Sequence, residues 1–152
     1  MLRTFMIGAA SAAALLALST GAYAVEQFGT APEAKALLER AVPVVNADKT
    51  GAFAKFNKGE DGFRDRDLYV FCGNIADGKI NAGPPKLIGM DVRTLKDKTG
   101  YAFGEHLLSD SVDGQITQVS YMFPRPDSTE PVQKVSYITR VSDQYCGVGY
   151  YK

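Results

Sequence analysis

The sequence predicts an α+β fold, with helices first and an antiparallel sheet after them. Two observations carry this. Apolar residues recur at helical spacing between positions 30 and 56, and the end of the chain holds three β-rich runs joined by short connections. A third observation, the character of the first 24 residues, sets the compartment.

The elements follow in chain order. Arg3 gives a short positive start, "FMIGAASAAALLAL" an apolar core, and "AYA" (Ala22, Tyr23, Ala24) a small-residue cleavage site. Residues 1–24 therefore read as a secretory signal peptide cut before Val25. An uncleaved anchor is the alternative, although the run falls short of the roughly 20 apolar residues that a spanning helix needs. Removing 24 of the 152 residues leaves 128, residues 25–152, enough for one domain with one core. That part carries all 17 acidic residues and 16 of the 17 basic ones, a formal charge of −1. It has no basic block, which argues against nucleic acid as a partner.

In "TAPEAKALLERAVPVV", Thr30 and Glu33 have the spacing of a capping box, and Pro32 lies in the first turn. Leu37, Leu38, Ala41, Val44 and Val45 then form an apolar stripe, with a kink or break predicted at Pro43. "TGAFAKFN" is a second helical piece and "KGEDGFRDRD" a polar loop. "DLYVFCGN" and "KINA" read as two strands around the turn "ADG". "GPPKLIGMDVRTLKDKTG" is a long connection without period, and "YAFGEHLLSD" a short helix. "GQITQVSYMF", "VQKVSYITRV" and "QYCGVGYY" are the three closing strands, separated by "PRPDSTEP" and the tight turn "SD".

The last strand is unusual. Alternation puts Tyr145, Gly147, Gly149 and Tyr151 on one face and Cys146, Val148 and Tyr150 on the other, so one face is hollowed. An even pair of cysteines, Cys72 and Cys146, in an exported chain favours a disulfide. A buried free pair and a metal site are the rival readings, and two cysteines without a CxxC or a histidine make a poor zinc site.

The stretches "DRDLYVFCGN", "PKLIGMDVRTLKDKTGYAF", "VSYMFPRP" and "KVSYITRVSDQYCGVGYYK" are similar to those of the single Cache domain family, PAS-like sensor modules of bacterial chemoreceptors and histidine kinases. The resemblance covers roughly residues 30 to 152. It implies an N-terminal helix packed on a five-stranded antiparallel sheet of order 2-1-5-4-3, with a small-molecule pocket on the opposite face. The connection between the second and third strands would roof that pocket. In that order the first and last strands are neighbours, where Cys72 and Cys146 fall. Tyr69 and Phe71 would then flank Gly147 and Gly149. The chain departs from the family pattern at "CGN" and around Gly83, on the expected pocket side, so a relative's ligand is not carried over.

The resemblance also supplies candidate site residues. Pockets of this family commonly take small organic acids or amino acids, and a carboxylate needs a cation or donors to hold it. Lys134 stands where the family has its lysine, with a solvated strand lysine as the plain alternative. Tyr137 is the family's tyrosine after it. Tyr121 and Phe123 share a face of the third strand and either wall the pocket or fill the core. Lys134 and Tyr137 have opposite parity, so without a bulge they do not line one pocket together. His106 is the only histidine and reads as structural or solvent-facing; Glu60, Asp61, Asp65 and Asp67 read as an acidic surface loop rather than a calcium site. No GxSxG elbow is present, and neither an enzyme activity nor a cofactor or metal is expected.

The functional expectation is a periplasmic or secreted small-molecule-binding sensor domain for an organic acid or amino acid. Because the sequence ends at Lys152, it is expected to lack its own membrane or output segment and to act through a partner such as a membrane receptor or sensor kinase. The alternative is a protein-interaction module whose pocket is filled by side chains. For the hollow strip at Gly147 and Gly149, the N-terminal helix is the favoured occupant over a ligand, which places the ligand on the face shared by Cys146 and Val148.

Overall fold

The computed structural model describes residues 26–152. The expected signal peptide, residues 1–24, lies outside them. No described helix is long and apolar enough to cross a membrane.

Helix α1 spans Ala31–Ala47. The Glu33 carboxylate accepts hydrogen bonds from both the Thr30 N–H (2.7 Å) and the Thr30 hydroxyl (2.8 Å), closing the first turn. The Arg66 guanidinium beside it (2.7 Å), with these Thr30 hydrogen bonds, holds that carboxyl down at about 2. Pro43 does not break the helix. It lies on the exposed side, where water can satisfy the carbonyl that loses its donor, and the chain turns instead at Asp48. Asp48 caps helix α2, Lys49–Lys58, by accepting the Gly51 N–H at 3.1 Å, and α2 ends at Gly59 in the left-handed region (φ 71°).

The sheet contains β1 (Arg64–Asp65), β2 (Leu68–Asn74), β3 (Ile80–Ala82), β4 (Thr117–Pro124), β5 (Pro131–Val141) and β6 (Gln144–Tyr151). Its main path is β1-β2-β6-β5-β4, with β3 also pairing β2. All these pairings are antiparallel. This is the expected order with one addition. The polar loop folds back at Arg66 (φ 55°) to add the two-residue β1 on the edge that β3 also uses. Between β3 and β4 the chain makes 3₁₀ turns at Pro85–Leu87 and Val92–Thr94 and then helix α3, Phe103–Ser109.

Cys72 and Cys146 face each other across β2 and β6, with Cα atoms 4.1 Å apart, and are disulfide-bonded. The same register sets Phe71 opposite Gly147 and Val70 opposite Val148. Side-chain alternation then splits the sheet into two apolar faces. On one, Ala34, Leu37, Leu38, Ala41 and Val45 of α1 pack with Val70, Val141, Val148 and the two cysteines. On the other, Tyr69, Phe71, Tyr121, Ile138 and Tyr145 meet Leu87, Val92, Phe103 and Leu107.

This arrangement corrects the favoured occupant of the glycine strip and, with it, the ligand face expected at Cys146 and Val148, which α1 covers instead. Helix α1 lies on the disulfide face, not over Gly147 and Gly149. Neighbouring side chains fill the hollow by leaning across it. A Cβ on Gly147 would sit 2.6 Å from Phe71 Cζ and 2.9 Å from Ile138 Cγ2; one on Gly149 would sit 2.2 Å from Lys134 Cε. The helix needs side chains to interdigitate with, and Val70, Val148 and the bridge offer them. Gly149→Val is accordingly expected to cost about 1–3 kcal/mol by overpacking and to dislodge Lys134. Chemical denaturation and the Lys134 side-chain NMR signal check it; a Lys134 signal left in place would contradict the packing described here.

Candidate functional site

The site lies on the glycine face. Its floor is β2, β6, β5 and β4, and its roof is the irregular chain from Gly83 to α3. Together they enclose a cavity of about 20 Å³, lined by Tyr69, Phe71, Ile80, Leu87, Met90, Leu95, Phe103, Leu107, Tyr121, Phe123 and Lys134. Ten of these eleven offer apolar or phenolic surface, and the eleventh is a lysine amine.

Strand alternation places the floor. Tyr121 and Phe123 follow Val119 on one face of β4, and Phe103 from α3 stacks on Tyr121 with centroids 4.1 Å apart and planes at 2°. Phe123 meets both rings edge-on at 6.0 Å. The Tyr121 hydroxyl and Ser136 Oγ hydrogen-bond at 2.8 Å. Burial pushes the phenols of Tyr69 and Tyr121 up, Tyr69 to about 12, so both are protonated at neutral pH.

Lys134 sets the electrostatics. It is 1% exposed, and Nζ donates to the Tyr69 hydroxyl at 2.8 Å. The rings of Tyr69, Phe123 and Tyr151 lie 4.5, 5.1 and 5.1 Å from it, and that of Phe71 at 6.0 Å. Among the described residues, every ion pair uses some other cation, so no carboxylate neutralises this one. Burial therefore pushes its amine down, and the more distant charge of Asp67 offsets this only partly.

The roof is fastened at Asp97. Its carboxylate accepts the Thr99 hydroxyl (2.6 Å), the N–H groups of Thr99 (2.8 Å) and Tyr101 (3.2 Å), and, across to β4, the Met122 N–H (3.1 Å). These bonds, the Thr99 hydroxyl's foremost, hold its pKa down at about 2. Gly104 lets α3 press onto the backbone of this roof, since a Cβ there would fall 1.8 Å from the Val92 carbonyl oxygen.

Three residues named from the sequence, Tyr121, Phe123 and Lys134, thus come together around one cavity. Tyr137 does not. It pairs with Val148 in register, stacks on Tyr150 at 5.9 Å and packs with the α1 side, because β5 runs from Lys134 to Tyr137 without a bulge. His106 is outside the cavity: it is half exposed, stacks on Tyr101 at 5.2 Å and meets Asp110 at 3.1 Å. In the acidic loop, Asp61 pairs with Lys55, Glu60 with Lys58, Asp65 with Arg66 and Asp67 with Arg125. Sequence reasoning did not single out Phe103, Leu107 or Tyr151. The spacing of Phe103 and Leu107 in "FGEHL" marks one helix face, and Tyr151 shares the parity of the glycine strip, so both signals were present.

No family model matches the chain. The methyl-accepting chemotaxis protein McpP of Pseudomonas putida is 29% identical over 75 residues, 49% of this chain but only 14% of that protein. The chain therefore corresponds to a small part of that relative's length. Among solved structures, a methyl-accepting chemotaxis protein from Vibrio parahaemolyticus superposes with a TM-score of 0.62 at 20% identity, covering 79% of this chain and 86% of that one. A periplasmic sensor domain of a chemotaxis protein gives 0.59 at 20% identity, covering 77% and 86%. A Cache chemosensory domain described for carboxylic acid recognition gives 0.54 at 23% identity, covering 77% and 84%. The fold is that of Cache-like chemoreceptor sensor domains.

Proposed function

We propose that this chain is an extracytoplasmic sensor-type domain that binds a small monocarboxylate in the Lys134 cavity and acts through a partner protein. One observation carries the reading: a buried lysine amine with a single hydrogen bond and, among the described residues, no carboxylate paired with it, beside an apolar cavity. Such a group is costly unless an anion meets it. A carboxylate would accept from Lys134 and from the phenols of Tyr69 or Tyr121, while its alkyl tail would lie among Leu87, Met90, Leu95 and Leu107. The chemoreceptor sensor domains of similar fold, one of them described for carboxylic acid recognition, support the same class of ligand.

The lining narrows that class. It offers no carboxylate to hold an ammonium and no second cation, so an amino acid or a dicarboxylate would bury an unpaired charge. The cavity volume of about 20 Å³, room for about one water, favours the second reading, an interaction module with a filled pocket. The roof is the element that would yield. Gly89 and Gly100 have positive φ (87° and 86°) and open space where a Cβ would point, and Met90 and Leu95 are only partly buried.

A thermal-shift series separates the two readings. Acetate, propionate and butyrate at a hundred times their dissociation constants should each stabilise by about 2.7 kcal/mol, with glycine and succinate inert. No stabilisation by any monocarboxylate would favour the filled pocket.

A further inference from the structure

Both ends of the described chain meet beside the pocket. Tyr151, opposite Lys134 in the β5–β6 register, presents its ring to two cations. Lys134 Nζ and the Arg125 guanidinium carbon each lie 5.1 Å from its centroid. Arg125 also covers the ring of Phe28 at 4.1 Å. Its Nε faces Asp67 Oδ2 at 3.5 Å, longer than a hydrogen bond. Both atoms are buried without a hydrogen-bond partner, and Asp67 is 6% exposed. The other Asp67 oxygen accepts the Gly29 N–H at 2.7 Å, just before α1. The preceding residue, Arg66, donates to the Phe28 carbonyl (2.9 Å) and to Glu33 in the first turn of α1 (2.7 Å). The turn at Arg66 and Asp67 therefore grips the start of α1, and Arg125 stands between that grip and the pocket.

We infer that the Asp67–Arg125 pair is a switch that reads the charge on Lys134 and reports it at the start of α1, an inference that rests on the carboxylate-binding reading above. Asp67 is a buried carboxylate whose charge acts on two cations, Arg125 beside it and Lys134 farther off. While Lys134 carries an uncompensated charge, it repels the Arg125 guanidinium that shares the Tyr151 ring and draws on Asp67, and the Asp67–Arg125 pair stays open. A ligand carboxylate on Lys134 cancels the more distant cation. With that opposing field gone, the unmet hydrogen-bonding capacity of both atoms favours closing the gap. Closure draws the β4–β5 loop, where Arg125 sits, toward Phe28 and Gly29. The ligand binds the closed arrangement better, which is the differential affinity that coupling between sites requires.

The amide exchange rate of Gly29, followed by NMR on the exported protein, tests the switch. Saturating sodium propionate should slow it about fivefold in the wild type. In Arg125→Gln, propionate should still raise the melting temperature but leave the Gly29 rate unchanged. Without ligand, Lys134→Met removes the same cation and should slow Gly29 by a similar factor, whereas the double variant should match Arg125→Gln. Equal slowing with and without Arg125 overturns the switch, as does a Gly29 rate that neither propionate nor Lys134→Met moves. If propionate fails to stabilise the wild type while the variant cycle still shows coupling through Arg125, the carboxylate reading falls and the switch stands.

Discussion

Replacing both Cys72 and Cys146 by alanine is expected to lower stability by about 4 kcal/mol, which in urea moves the unfolding midpoint down by about 2 M. The bridge spans 74 residues of sequence, so it removes a large share of the unfolded chain's freedom to separate its ends. It joins the first long strand to the last, directly beneath α1, where both cysteines are essentially unexposed. Each alanine also leaves a small void in the core that α1 covers, which adds to the loss. Domains of this size have about 5–15 kcal/mol in all, so the double variant should fold but sit near the lower limit. Because the sulfurs point away from the glycine face, the variant that folds should keep its response to propionate. An unchanged urea midpoint would show that the bridge contributes no stability.

The sheet was legible in the sequence because strand alternation is a strict rule. Pairing Cys72 with Cys146 set the register of β2 against β6, and parity placed Tyr69 and Phe71 beside the glycine strip and Tyr121 with Phe123 on one face of β4, while leaving open which of Lys134 and Tyr137 faces the pocket. The same rule showed that Tyr137 and Lys134 could not share a pocket, and Tyr137 is the one that faces α1. What alternation does not determine is which neighbour occupies a strip without side chains. Phe71 and the Lys134 stem are long enough to cross one inter-strand spacing of about 4.8 Å, and they fill the strip before a helix can reach it. The roof was illegible for a different reason. Leu87, Met90 and Leu95 hang from 3₁₀ turns and extended chain, which impose no period on the sequence. The Asp67–Arg125 pair joins segments far apart in the chain, and no local pattern announces such a contact.

Lys134→Met is expected to weaken propionate binding about a hundredfold, roughly 2.7 kcal/mol, while raising the stability of the ligand-free protein by about 1–3 kcal/mol. The two effects have one cause. In the folded protein the amine sits among the rings of Tyr69, Phe71, Phe123 and Tyr151 with one hydrogen bond, whereas in the unfolded chain it is hydrated and charged. Methionine has nearly the same length, accepts aromatic neighbours and needs no hydration. The pH dependence follows from the direction of the shift. Burial lowers the folded amine's pKa below its ordinary value of 10.5, so the unfolded state holds the extra proton between those two values. This residue's contribution to stability therefore rises with pH across that window, and in Lys134→Met the rise disappears. Above about pH 10 the comparison ends, because the buried phenols, Tyr69 at about 12 among them, begin to favour the unfolded chain. Urea midpoints of both proteins from pH 7 to pH 10, with and without propionate, measure all three effects. A variant less stable than the wild type throughout, with propionate still bound, would mean that Lys134 holds the fold together and has no part in binding the acid.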